Sequence, residues 1–269
     1  MILFFKILFK DIYHLWRTRY SRTFLRLAFQ YGDVGRYKPR EINFLNFEIV
    51  VPDCQSFLWQ FKEIFADENY RFLSNTSSPL IYNCGANIGI DTLYFKHLYP
   101  DAHIKAFEAD PTIAGYLSRN IQKNNLQNIE IINQAVWNEN TTISFSAEGA
   151  DGGSVIVGAK TTQVPAIRLK DWLEKETMID LLKMDIEGAE VAVIRDCKNS
   201  LGRIRHLFIE YHAYLGEPQA LGEILQILTD SGFRYFIRSE ADRKQPFVNR
   251  TNHKTPVMDL QLNIFAYKE

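Results

Sequence analysis

The 269 residues suffice for one large α/β domain with additions, and 46% hydrophobic with 23% charged residues is an ordinary globular composition. Lysine and arginine number 31 against 32 acids, a formal net charge of −1, which excludes a nucleic-acid binder held by bulk charge. Cys54, Cys84 and Cys197 are widely spaced, odd in number and outside any metal-ligand pattern, so they read as reduced thiols of a cytoplasmic protein.

In chain order, residues 1–42 form a basic amphipathic segment that is expected to be helical. From Met1 to Arg40, Lys6, Lys10, Arg17, Arg19, Arg22, Arg26, Arg36, Lys38 and Arg40 face only Asp11 and Asp33, interleaved with Phe4, Phe5, Trp16, Phe24 and Phe29. Lys6 and Lys10 interrupt the apolar run well short of the ~18 residues a membrane-spanning helix needs. Two readings stay open: a helix lying peripherally on the anionic inner membrane surface, or helices packed on the domain or a partner subunit. The remaining residues, 43–269, read as one domain. Phe44 to Pro52 alternates loosely and predicts an extra strand pair, and Ser56 to Phe65 predicts a helix with Phe57, Phe61, Ile64 and Phe65 inward.

The first core strand is Leu80 to Cys84, followed by a helix from Gly89 to Leu98 that Pro100 stops. A second strand closes at Glu108; Asp110 then caps and Pro111 opens a helix with Ile113, Leu117 and Ile121 on its core face. Ile129 to Asn133 is a third strand. From Thr141 to Arg168 a β-rich hairpin insertion turns at Gly149, Gly152 and Gly153, and Leu169 to Lys175 is a short helix. Strand four is Leu181 to Asp185 with a helix from Gly188 to Cys197, strand five Leu207 to Tyr211, then a helix Ala220 to Ser231. Tyr235 to Arg238 is strand six, and Gln261 to Tyr267 closes the sheet as the seventh. The alternation predicts an α/β, doubly wound, mostly parallel Rossmann-like sheet of seven strands. Asn83, Glu108, Asn133, Asp185 and His212 all fall at carboxyl ends of strands, where such sheets bind ligands.

Three motifs carry the chemistry. Asn83-Cys84-Gly85-Ala86-Asn87-Ile88-Gly89 is a glycine-containing turn after strand one, and Phe107-Glu108-Ala109-Asp110-Pro111 puts a ribose-accepting carboxylate at the end of strand two. The second glycine of G-x-G-x-x-G is missing, which disfavours a pyrophosphate and with it a nicotinamide-dependent oxidoreductase. An adenosine derivative without phosphate, such as S-adenosylmethionine (SAM), suits the turn. The third motif, Lys183-Met184-Asp185-Ile186-Glu187-Gly188-Ala189-Glu190, is followed by Ile209-Glu210-Tyr211-His212.

On these residues the chain resembles the FkbM family of SAM-dependent methyltransferases, over roughly Phe47 to Tyr267. The resemblance implies SAM as cofactor, strands four and five as neighbours, and a small-molecule or glycan hydroxyl as acceptor, with O-methylation the expected reaction. One departure stands out: the family usually has aspartate where this chain has Asn83. An amide lacks the charge a carboxylate offers a sulfonium, so weakened cofactor affinity is expected, and a non-catalytic nucleoside-binding module is the alternative.

The expected cofactor residues are Asn83, Gly85, Ala86, Asn87 and Gly89 for the methionine portion, Glu108 and Ala109 for the ribose, and Asn133, Gln134 and Ala135 for the adenine. Tyr70 reads either as a cover or as core. Asp185 is expected nearest the methyl group. His212, with an ordinary pKa near ~6.5, is the favoured base, oriented by Glu210 or Asp185; Asp185 is the other candidate for proton removal, and Lys183 is expected to pair with Glu210. Asp185, Glu187, Glu210 and His212 carry donor atoms for Mg²⁺ or Mn²⁺, but their spacing does not demand an ion and no metal is predicted. Ser239 to Met258, with Arg243, Lys244, Arg250, His253 and Lys254, reads either as a loop closing on the acceptor or as solvated surface. The oligomeric state is not legible.

Overall fold

The computed structural model describes residues 18–146, 161–240, 245–249 and 258–268. Thr18 caps the first described helix, its side-chain oxygen accepting the Ser21 N–H at 3.0 Å, and α1 runs Arg19–Tyr31. It packs on the domain: Leu27 is fully buried, Tyr20, Phe24, Ala28 and Tyr31 lean on the same cluster, and the Tyr20 hydroxyl meets His97 Nε2 at 2.8 Å. This half of the basic segment therefore follows the packing reading. The membrane-surface reading rests on residues 1–17, including Lys6 and Lys10, which lie outside the described residues. No described helix is long and apolar enough to cross a membrane.

An antiparallel ribbon follows, β1 (Arg40–Phe44) on β2 (Phe47–Val51), so the expected boundary after residue 42 falls inside a strand. Asp53 caps α2 (Cys54–Phe61), which widens into a π-helical turn at Lys62–Ala66. Phe57, Phe61 and Phe65 are fully buried, as their spacing predicts, with the Phe61 and Phe65 rings stacked at 5.1 Å.

The core elements are β3 (Leu80–Cys84), α3 (Ile90–Leu98), β4 (His103–Phe107), α4 (Pro111–Lys123) and β5 (Ile129–Ile132). Next come β6 (Ala135–Trp137), β7 (Thr141–Ser146), β8 (Thr161–Arg168) and α5 (Leu169–Leu173). They are followed by β9 (Ile179–Met184), α6 (Glu190–Cys197), β10 (Ile204–Tyr214), α7 (Leu221–Asp230), β11 (Arg234–Ser239) and β12 (Met258–Tyr267). Asp110 caps α4 as expected, accepting the N–H groups of Thr112 and Ile113 at 2.7 and 3.1 Å.

Seven strands lie in the order β11-β12-β10-β9-β3-β4-β5, the Rossmann-like methyltransferase sheet expected from sequence. Pairing is parallel from β10 to β5, and β12 runs antiparallel to both neighbours. Two details differ from expectation. The last strand does not close an edge but lies between β10 and β11, because β11 leaves that slot open and β12 hydrogen-bonds on both sides. The insertion is more than a hairpin: β6 pairs parallel with β8, and β8 antiparallel with β7, giving a separate three-stranded sheet. Gly149, Gly152 and Gly153 lie outside the described residues, as do Arg243, Lys244, Arg250, His253 and Lys254.

Both faces of the sheet are covered, so the central strands are apolar nearly throughout. Ile81, Ile104, Ala106, Leu181 and Phe208 face one cluster with α3 and the α2 aromatics; Tyr82, Cys84, Leu182 and Met184 face the other with α6 and α7. Polar side chains on the first face cluster where Asn83, Lys183 and Glu210 approach the carboxyl edge, and that positions the site. The three cysteines are free and buried.

Candidate active site

The sheet changes direction between β3 and β9: β4 and β5 extend one way, β9 and β10 the other. Ligands bind at such switch points, and here a pocket of about 1010 Å³, open mouth included, lies over the strand ends. Gly85 (φ +82°) makes the closest approach, since a Cβ there would lie 1.8 Å from the Asp185 carbonyl oxygen. The glycine thus serves contact between the β3 turn and the end of β9 as well as ligand access. Gly89 (φ +91°) opens α3, and a Cβ there would come within 2.7 Å of Leu117 on α4. It is a packing glycine and does not line the pocket.

Of the residues expected from sequence, Gly85, Ala86, Asn87, Glu108, Ala109, Gln134, Ala135 and Asp185 line the pocket together. Glu108 is held in place by backbone: Oε2 accepts the Asn87 N–H at 2.8 Å and Oε1 the Asp110 N–H at 2.9 Å. Each oxygen keeps further acceptor capacity. Burial, opposed by those two N–H groups, pushes the carboxyl up to about 7. Phe107, Ala135, Val136 and Ile143 form an apolar wall beside it. Tyr70 lines the pocket, and its ring packs edge-on to Phe208 at 4.8 Å.

Four other expected contacts are placed differently. Asn83 is fully buried beneath the turn; its Nδ2 donates to Thr92 Oγ1 at 3.1 Å, and Oδ1 has no partner among the described residues. The pocket carboxylate in its neighbourhood is Asp91, from the first turn of α3. Asn133 braces rather than binds, its Nδ2 donating to the carbonyls of Glu108 and Ala109 at 2.8 and 3.3 Å. Glu210 and His212 lie beside the pocket without lining it, because β10 continues past them to Tyr214.

Lys183 does not pair with Glu210. Its Nζ donates to the Gly85 carbonyl at 2.6 Å and lies 3.3 Å from Asp185 and 3.4 Å from Asp91. Burial would lower its pKa, but Asp185 and Asp91 outweigh it and keep the ammonium charged. His212 Nδ1 contacts Glu190 Oε1 at 3.2 Å, so Glu190, rather than Glu210 or Asp185, orients the ring. Nε2 lies 3.6 Å from Glu187 and 3.7 Å from Glu210. Burial alone would lower the imidazole pKa; Glu190 and then Glu187 and Glu210 reverse this and raise it well above its ordinary value.

Several pocket residues are not legible from sequence. Gln60, Glu63 and Ile64 arrive from α2 and the π-helical turn, a conformation that often marks functional positions. Burial, then the nearby Asp185, pushes Glu63 up to about 7. Asp91 had a usable signal, an acid in the first helical turn after the glycine loop. Glu190 stood in the third motif without an assigned partner.

A seven-stranded, mostly parallel sheet with a pocket over its switch point, a buried acid after β4 and an acid-rich end of β9 is an architecture suited to a nucleoside-type ligand. The model of the methyltransferase FkbM domain matches residues 83–235, and the chain belongs to that family. Methyltransferase sdnD of Sordaria araneosa is 29% identical over 212 residues, 64% of this chain and 80% of that protein. The 2-O-methyltransferase NoeI of Sinorhizobium fredii is 29% identical over 155 residues, 49% of this chain and 63% of that one, so the match spans less than two thirds of NoeI. Among solved structures, methyltransferase FkbM from Methylobacillus flagellatus aligns with a TM-score of 0.46 at 15% identity, covering 93% of this chain and 59% of that one.

Proposed function

We propose that this chain transfers the methyl group of SAM to a hydroxyl of a sugar or glycan-type acceptor. The observation that carries it is Glu108, fixed by the Asn87 and Asp110 N–H groups at one side of the pocket, with Asp185 at the other. The residues fit SAM. An apolar slot suits a planar base, a buried acid suits a ribose diol, and Asp91 gives a carboxylate beside the glycine turn where Asn83 does not reach. SAM supplies a sulfonium methyl open to in-line displacement. Glu108 accepts the ribose hydroxyls, the Gly85–Asn87 backbone and Asp91 hold the amino-acid portion, and Gln134, Ala135 and Val136 pack the base. Asp185, one of the two residues expected from sequence to take it, receives the acceptor hydroxyl's proton. The family relationship and the 2-O-methyltransferase NoeI support a hydroxyl acceptor.

Calorimetric titration with SAM and S-adenosylhomocysteine, repeated on Glu108→Ala, tests the cofactor. Binding abolished or strongly weakened in a folded variant supports the reading; no binding by the unaltered chain favours a non-catalytic module. An acceptor screen that methylates only amines overturns the hydroxyl assignment.

A further inference from the structure

The ends of β9 and β10 carry a group of side chains that cofactor binding does not use. One ligand atom each from Asp185, Glu187 and His212 lie within 4.8 Å of one another, and His212 is 1% exposed in its side chain. Its Nδ1 is committed to Glu190 Oε1. Glu190 is itself fully buried and pinned by the N–H groups of Ile186 and Gly188 at 3.2 and 3.1 Å. This is the arrangement of a metal-ligating histidine, whose second ring nitrogen is fixed by a carboxylate so that the first is presented in one orientation.

The distances at Nε2 point the same way. Glu187 Oε2 at 3.6 Å and Glu210 Oε1 at 3.7 Å are beyond hydrogen-bond range, and Nε2 has no hydrogen-bond partner among the described residues. Two ligands about 2.1–2.2 Å from one ion, about 90–115° apart, are themselves about 3.0–3.7 Å apart. The 3.6 Å between Glu187 Oε2 and Nε2, the two proposed ligand atoms whose separation is known, lies at the wide-angle end of that range. Charge agrees. Asp185, Glu187, Glu190 and Glu210 surround the imidazole, and the nearby cation Lys183 is already bound to Gly85, Asp91 and Asp185. Asn263, opposite Glu210 in the β10–β12 register, is fully buried with an unpartnered Oδ1 among the described residues.

We propose that Asp185, Glu187 and His212 Nε2 bind one divalent cation, with Glu190 as the positioning residue behind the histidine. Two or three carboxylate oxygens with one imidazole suit Mn²⁺ best, with Mg²⁺ as competitor. The ion takes the place of any proton on Nε2. Because Asp185 and Glu187 also line the pocket, the ion stands where an acceptor hydroxyl would meet it, and it lowers the pKa of that hydroxyl. This last role rests on the methyl-transfer reading; the binding site does not.

The test is a Mn²⁺ titration of the chelator-treated full chain, followed by the electron paramagnetic resonance signal of free Mn²⁺, alongside SAM calorimetry. One ion per chain is expected, displaced by excess Mg²⁺. Glu187→Gln and His212→Asn should each weaken Mn²⁺ at least about tenfold, as should Glu190→Gln acting through the ring. Glu108→Ala should weaken SAM at least about fivefold and keep Mn²⁺ binding unchanged. Circular dichroism establishes folding, and the partly exposed Glu187 makes its variant the safest. Absence of Mn²⁺ binding by the folded chain, or equal binding in Glu187→Gln and His212→Asn, overturns the site. Loss of the metal site with SAM binding intact leaves the methyl-transfer reading standing, and the reverse result separates the two.

Discussion

Lys183 Nζ lies 2.6 Å from the carbonyl oxygen of Gly85, 98 residues away in the chain, and so ties the β3 turn to the end of β9. The same ammonium is the cation shared by Asp91 and Asp185. Lys183→Met strands the buried Asp91 and leaves the partly exposed Asp185 without its cation, and we expect a loss of about 3–5 kcal/mol out of a typical total of about 5–15. Urea unfolding measures it. The double variant with Asp91→Asn should recover part of the loss; no recovery would place the effect elsewhere.

Glu108 should make SAM affinity dependent on pH. Its carboxyl, raised by burial to about 7, takes a proton as pH falls through that value, and the neutral acid is a weaker ribose acceptor. Affinity should therefore rise from pH 6 to pH 8. Glu108→Ala should cost more than ~1 kcal/mol of binding, about fivefold. Glu108→Gln should abolish the dependence near 7. Calorimetry at three pH values decides it.

The two kinds of glycine should respond oppositely to alanine. Gly85→Ala places a Cβ against the Asp185 carbonyl at a positive φ, and we expect both stability and SAM binding to fall sharply. Gly115, within α4, has open space around its Cβ position, so Gly115→Ala should be neutral or stabilising by up to about 1 kcal/mol. Thermal melting of both variants checks the contrast.

Asp53 should set part of the acid limb of stability. Burial would raise its pKa, but the Ser56 and Tyr37 N–H groups, the Arg36 guanidinium and the Ser56 hydroxyl together hold it at about 2. The folded value is below the ~3.9 of an unfolded aspartate, so its contribution is full above that value and is lost as pH falls toward about 2. Asp53→Ala removes a helix cap and should cost about 0.5–2 kcal/mol at neutral pH. Its unfolding free energy should also vary less between pH 4 and pH 2.

Local signals carried most of this fold. The Leu80–Cys84 strand, the Asp110 cap and the α4 stripe announce themselves within short windows, and Glu108 follows from its place after a strand. Sheet position is different: nothing in Met258–Tyr267 says that it lies between β10 and β11, since lateral order is set by which edges remain unpaired. The Ala135–Trp137 strand is too short to show a period. Alternation correctly put Lys183 on the face of Glu210, but register pairs Lys183 with Phe208, so its long side chain turns to the β3 turn instead. Gln60 and Glu63 reach the pocket from a helix whose sequence shows only aromatic packing.

The antiparallel insertion of β12 has a consequence for biosynthesis. A nascent chain emerges in order, so β10 and β11 leave the ribosome before the strand that must sit between them. Until β12 arrives, β10 presents an unpaired edge over His206–Tyr214, including the stretch that carries Glu210 and His212. Such an edge can recruit a neighbouring chain. The stretch that carries Glu210 and His212 is therefore framed on its second side last, after every residue that lines the pocket has been made.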